Sequence, residues 1–243
     1  DVEGYGRFEG YSNRDSLKYR SVYGLDDVLT FYRGTIRKVG FSKAWNMFVQ
    51  LGMTDDSYIM EDSENMSYRE FVNSFLPYHP TDSVEIKTRL ILKIDQDDIM
   101  WDKLLELDLF NRNKIVGLKN ATPAQMLEKI LSDSWTLQPD DKDMIVMYHK
   151  FGYEDKGEKK QIDSKMVCIG EDQTYTAMAK TVGLPVAMAT LLILNGKIRT
   201  PGVQLPIRKE VYLPILKELE EYGVVFKEQE MPYLGYNPDK KFS

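Results

Sequence analysis

The feature that most constrains this fold is a change of hydrophobic period, made twice. Residues 28–37 read as a strand, and apolar residues recur at helical spacing from Gly40 to about Asp140. Strand-like alternation then returns at Met144. Strand side chains repeat every two residues and helix side chains every 3.6. A chain with this order builds β structure from segments on both sides of an all-helical insertion, which points to an α+β fold. At 243 residues it is one large domain or two small ones.

The ends of the helices are marked. Ser42 can cap a helix bearing Trp45, Phe48 and Val49 that stops at Gly52. Ser67 and Glu70 make a capping box ahead of Phe71, Phe75 and Leu76, with a stop near Pro77. Ile86, Leu90, Ile91 and Ile94 form a stripe over 84–94, and Trp101, Leu104, Leu105 and Leu107 another short one. Thr122 is an N-cap with Pro123 at the first helical position, leading Met126, Leu127, Ile130 and Leu131 down one side. The block has no metal-ligand spacing and no phosphate loop, and His79 sits in a loop.

Beyond the block, Met144, Val146, Tyr148 and Lys150 share one strand face and Ile145, Met147, His149 and Phe151 the other. A charged turn over 153–160 and a second strand over 161–169 complete a hairpin. His149 reads as a sheet residue and Cys168 as a small buried apolar one. Residues 174–195 are helical, but Gly183-Leu184-Pro185 should split them into two helices or kink one. Small residues there (Ala177, Ala179, Ala187, Ala189) permit close approach of a backbone or a ligand. A last amphipathic helix over 206–222 turns Val211, Ile215, Leu216 and Leu219 inward. A short strand over 224–227 follows, and 232–243 reads as a mobile tail.

Bulk properties narrow the partners. A 42% hydrophobic composition can fill a core, and a net charge of -6 argues against nucleic acid and anionic membrane surfaces. The single cysteine makes no internal disulfide, which fits a reducing, cytoplasmic setting. No apolar run is expected to reach the roughly 18–20 residues of a membrane span, 184–194 being the longest. No signal or transit peptide is visible, although the sequence starts Asp-Val-Glu without a methionine.

Binding chemistry is concentrated in residues 13–37. A turn at Ser12-Asn13-Arg14-Asp15-Ser16 leads to a helical turn over 17–23 and then the strand over 28–37. Alternation places Arg33, Thr35 and Arg37 on one face and Tyr32, Gly34 and Ile36 on the other. Two guanidiniums flanking a hydroxyl form an anion receptor that Arg14 can close, since guanidinium forks bind carboxylates bidentately. The same spacing also allows Arg14 to pair with Asp15 or Asp26 while the strand arginines stay in solvent. Upstream, Gly4-Tyr5-Gly6-Arg7-Phe8-Glu9-Gly10 imitates a dinucleotide fingerprint, but no strand precedes it and no helix follows. It reads as a turn between strands.

The NRDS of residues 13–16, followed 21 residues after its arginine by the threonine of RGTIR, resembles the substrate-domain signature of saccharopine dehydrogenases. DMIVMYHKFG (143–152) and YTAMAKTVGLPVAMATLLILNGKI (175–198) resemble the same family, with a weaker middle over about 54–140. The resemblance implies saccharopine-binding roles for Arg14, Thr35, Ile36 and Arg37. It implies an α+β fold whose mixed or antiparallel substrate-domain sheet is rejoined after the insertion. The organisation it suggests is 1–39 and 143–182 as the substrate-binding domain, 40–142 as the helical insertion, and 183–243 as C-terminal helices. The last would pack on a dinucleotide-binding domain N-terminal to this chain, with the Thr181-Val182-Gly183 bend at the junction. The implied reaction is oxidation of saccharopine by NADP or NAD to glutamate and aminoadipate semialdehyde. The cofactor is expected to be bound mainly by that other domain, with no metal, and a homodimer is expected to form through the sheet. No catalytic proton acceptor is identifiable here. Two other classes remain open on sequence: a non-catalytic substrate-binding or dimerisation module, and a sister dehydrogenase acting on a carboxylated polyamine. The latter should show acidic residues where Arg14 and Arg37 stand.

Overall fold

A computed structural model describes residues 1–13 and 15–235. The elements run β1 (Phe8–Ser12), α1 (Tyr19–Val22), β2 (Gly34–Lys38), α2 (Phe41–Leu51), α3 (Tyr68–Ser74), α4 (Val84–Leu92), α5 (Ile99–Glu106) and α6 (Pro123–Trp135). They continue β3 (Met144–Asp155), β4 (Glu158–Ile169), α7 (Ala177–Leu194), α8 (Lys209–Leu219), a 3-10 turn (Glu220–Tyr222) and β5 (Lys227–Met231).

Two compact units share these elements. The first comprises Asp1, Tyr5–Glu9 and Arg37–Thr136. Its core is the apolar stripes of α2 to α6, with Met53, Phe71, Leu104, Leu109, Met126 and Ile130 almost wholly excluded from solvent. The expected capping box of Ser67 with Glu70 forms, and Thr122, expected as an N-cap, makes a second box with Gln125. Gly52, at φ 84, ends α2 in the left-handed region that suits glycine. Arg69 and Glu85 make a two-pronged pair between α3 and α4 (Nη2 to Oε2, 2.9 Å), and hydrogen bonding from Arg69 holds the Glu85 carboxyl down at about 2. Ser42 does not cap α2; that end is served from β1, as described below.

The second unit comprises Val2–Gly4, Gly10–Ile36 and the chain from Leu137 onward. In it β3, β4 and β5 form an antiparallel sheet in that order, with Tyr148 opposite Lys165 and Lys165 opposite Lys227. One face, carrying Ile145, Met166 and Cys168, packs with Ala177, Met188 and Leu192 of α7 and Ile215 and Leu219 of α8. The opposite face is apolar at one end, with Met144, Val146, Val167 and Ile169, and polar further along. There Asp163, buried, receives hydrogen bonds from the Tyr148 hydroxyl and from Gln161 Nε2 at 2.8 Å, and Gln161 Oε1 receives the amide of Leu234 at 3.0 Å.

Several expectations are corrected. The strand expected over 28–37 begins only at Gly34. A strand needs a partner, β1 is only five residues long, and Leu29 before it is 89% exposed. For the same reason Tyr11 and Ser12 belong to β1 and not to a turn. The later strands do not rejoin the first. β1–β2 is its own two-stranded sheet among the described residues, and both edges of β4 are taken by β3 and β5. The hairpin is longer than expected because its charged residues pair across it (Lys160 to Asp155, 3.0 Å). A tight turn at Lys156 and Gly157, both at positive φ, suits the strand twist. Of the two helices or one expected around Pro185, α7 is one. Leu216 is exposed and not inward, and the last strand lies at 227–231. In the tail, residues 232–235 are placed, with Tyr233 against Gly152, while 236–243 lie outside the described residues.

α7 also overturns the expectation about apolar length. Its 18 residues, with mean hydropathy 1.8 and Lys180 as the single charge, are long and apolar enough to cross a membrane, and only 17% of them are buried in the chain. Pro185 and Gly183 interrupt the residue pattern without interrupting the helix.

Candidate functional site

The binding residues expected from sequence fall on β2. Thr35, Ile36 and Arg37 are consecutive in the strand, so Thr35 and Arg37 share one face and Ile36 takes the other. Arg33 precedes the strand and is exposed. Arg14 lies outside the described residues. Its neighbour Asn13 is tied to this region twice: its amide donates to the Arg33 carbonyl (3.2 Å), and its side-chain Nδ2 donates to Thr35 Oγ1 (3.1 Å). Gly34 is required where it stands, because any Cβ there would lie 2.9 Å from both the Tyr11 carbonyl and the Tyr32 ring.

Arg37 is exposed at the end of the strand, and its guanidinium lies over the Phe41 ring, 5.5 Å from the centroid. Phe41 stacks in turn on Trp45 (5.9 Å, 13° between planes). A planar guanidinium is attracted to an aromatic face, so the ring helps to orient it. The next residue is fixed from the other side: Lys38 Nζ donates to the Tyr5 carbonyl at 2.6 Å and lies over the Phe8 ring. Gly40, at φ 97, then turns the chain from β2 into α2.

Sequence reasoning missed Glu9. Its carboxylate takes the amides of Gly40 (3.1 Å) and Ser42 (2.6 Å), capping α2 from a strand 31 and 33 residues away in sequence. The backbone bond from Ser42, joined by that from Gly40, holds the Glu9 carboxyl below the usual carboxylate range. No local motif could have announced this, because a cap normally lies next to its helix.

The other residues singled out from sequence are structural. His149 stacks on Phe151 (5.9 Å) and lies near Phe226 (5.8 Å). His79 Nδ1 accepts the Asp82 amide in an exposed loop. Cys168 is buried, and burial pushes its thiol up. Among the described residues no cluster of histidine, cysteine and carboxylate side chains could hold a metal ion.

The fold and this strand define a class: an α+β protein whose small-sheet strand presents a hydroxyl and a guanidinium on one face. The chain belongs to the saccharopine dehydrogenase C-terminal domain family, whose description matches residues 2–224. It is 35% identical over 228 residues to the mitochondrial alpha-aminoadipic semialdehyde synthase of Rattus norvegicus, covering 91% of this chain and 24% of that protein. It is 34% identical over 235 residues to the saccharopine dehydrogenase [NADP(+), L-glutamate-forming] of Saccharomyces cerevisiae, covering 91% of this chain and 51% of that one. A solved apo structure of saccharopine dehydrogenase (L-Glu forming) from the same yeast superimposes with a TM-score of 0.81 at 30% identity, over 96% of this chain and 53% of that chain. The chain therefore spans about half of the yeast enzyme and a quarter of the rat protein.

Proposed function

We propose that this chain supplies the saccharopine-binding part of an NADP-dependent oxidoreductase that reversibly converts saccharopine to L-glutamate and 2-aminoadipate 6-semialdehyde. One observation carries the reading. A chain matching this family over nearly its whole length keeps Thr35, Ile36 and Arg37 on one strand, with the Arg37 guanidinium braced on Phe41. Saccharopine carries three carboxylates, so its site calls for cationic and hydroxyl donors. In this reading the Arg37 fork takes one carboxylate, the Thr35 hydroxyl donates to the same face, and Arg14 closes over the substrate.

The described residues offer no strand, glycine loop and helix in the order a dinucleotide needs. Gly4 and Gly6 are followed by β1 and not by a helix. NADP supplies the hydride acceptor, and we assign its binding to a separate domain of the same polypeptide. The exposed apolar residues of α7, among them Val182, Val186 and Leu194, are the surface such a domain would cover. The same reading includes a homodimer through the β3–β4–β5 sheet.

The test is turnover by the full-length protein with NADP and either saccharopine or carboxynorspermidine. Saccharopine-dependent reduction of NADP, with little or none from the polyamine, is expected. No turnover of saccharopine would overturn the reading.

A further inference from the structure

Arg37 is the last residue but one of β2, Val39 and Gly40 make the corner, and Phe41, the ring beneath the guanidinium, is the first residue of α2. The position of that ring therefore follows from how the first turn of α2 is held. The helix has no side-chain cap of its own, since Gly40 occupies the N-cap position. In place of one, Glu9 receives the amides of Gly40 and Ser42, one on each carboxylate oxygen. Those amides flank Phe41 in sequence, so the two bonds fix the peptide units on both sides of the ring. The N-terminal end of a helix favours a negative charge, which adds to the attraction. Lys38, tied to the Tyr5 carbonyl and the Phe8 ring, keeps β1 in place beneath the corner.

We propose that Glu9 is a positioning residue for substrate binding: by clamping the amides of Gly40 and Ser42 it sets Phe41, and through Phe41 the Arg37 guanidinium, in the orientation that receives a substrate carboxylate. This rests on the assignment of Arg37 to saccharopine binding. A misplacement of about 1 Å in a binding group can cost up to about a hundredfold in rate. Loss of the clamp, which loosens the guanidinium without removing it, is therefore expected to cost about tenfold in saccharopine KM.

The test is a double-mutant cycle on the full-length enzyme, read as KM for saccharopine and KM for NADP. Glu9→Ala should raise the saccharopine KM about tenfold and leave the NADP KM unchanged. In an Arg37→Ala background the same change should add almost nothing, because the group it positions is gone. Glu9→Gln keeps an acceptor oxygen for one amide and should give a smaller increase that is also lost without Arg37. It carries the test if the alanine variant does not fold. The inference is overturned if Arg37→Ala weakens saccharopine while Glu9→Ala and Glu9→Gln leave its KM unchanged. It is overturned equally if they raise it by the same factor with and without Arg37, the sign of a general structural defect. If Arg37→Ala itself leaves the saccharopine KM unchanged, the binding assignment fails, and the role of Glu9 falls with it.

Discussion

Arg37 and Thr35 were legible as a pair because strand alternation is a local rule and needs only the sequence. Glu9 was not, because its partners lie more than thirty residues away and only the β1–β2 pairing brings them near. The Arg69–Glu85 pair was also hidden, because its partners sit on two different helices 16 residues apart, and it makes a sharp prediction. The folded protein holds Glu85 at about 2 against an ordinary 4.5, chiefly through hydrogen bonding from Arg69. A depressed carboxyl contributes its stability in full above the unfolded pKa and loses it as pH falls through the folded one. Glu85→Gln should cost about 2 kcal/mol at neutral pH, a figure that allows for the partial exposure of the carboxylate. The gap to the parent should narrow from pH 4.5 downward and nearly close near pH 2. Urea unfolding at pH 7, 4 and 3 checks this; a gap independent of pH would contradict it. Arg14→Ala in the full-length enzyme is expected to weaken saccharopine at least about thirtyfold and leave the cofactor unaffected, as truncating one partner of a desolvated charge pair does.

Among the elements, helix ends were the most readable part of the sequence. Ser67, Thr122 and Gly52 act where their chemistry says they should, because caps depend on neighbours a few residues away. Strand limits were the least readable, since Gly34 and Met231 mark where partners begin and end and not where propensity does. The start of α7 depends on both kinds of information. Thr176 caps it locally, and Asp143, from the residue before β3, takes the amides of Ala177 (2.5 Å) and Met178 (2.9 Å). Gly170 leaves room for that carboxylate: a Cβ there would fall on Asp143 Oδ1 and lie 2.9 Å from the Ala177 nitrogen. Gly170→Ala is therefore expected to push Asp143 off the helix and cost about 1–3 kcal/mol. Chemical denaturation measures it, and a stability equal to the parent would show that the cap is dispensable.

For the molecule as a whole, α7 is the element the chain does not finish covering. Its apolar length escaped the sequence reading because the apolar run was placed at 184–194 only, and Lys180 hides the apolar character of the first turns of the helix. If a dinucleotide-binding domain covers this helix, Val186→Asp should change the stability of residues 1–243 by no more than about 0.5 kcal/mol, as an exposed substitution does. In the full-length enzyme it should destabilise by about 2 kcal/mol or more, because it places a charge in an apolar contact. Equal small effects in both would remove α7 from that interface.

The claim on which the rest depends is that β2 holds a tricarboxylic amino acid through the Arg37 guanidinium. Calorimetric titration of saccharopine and of NADP into the full-length enzyme and its Arg37→Ala variant measures it directly. The expected result is saccharopine affinity lower by about thirtyfold or more with NADP affinity intact. Unchanged saccharopine affinity in the variant would contradict the account.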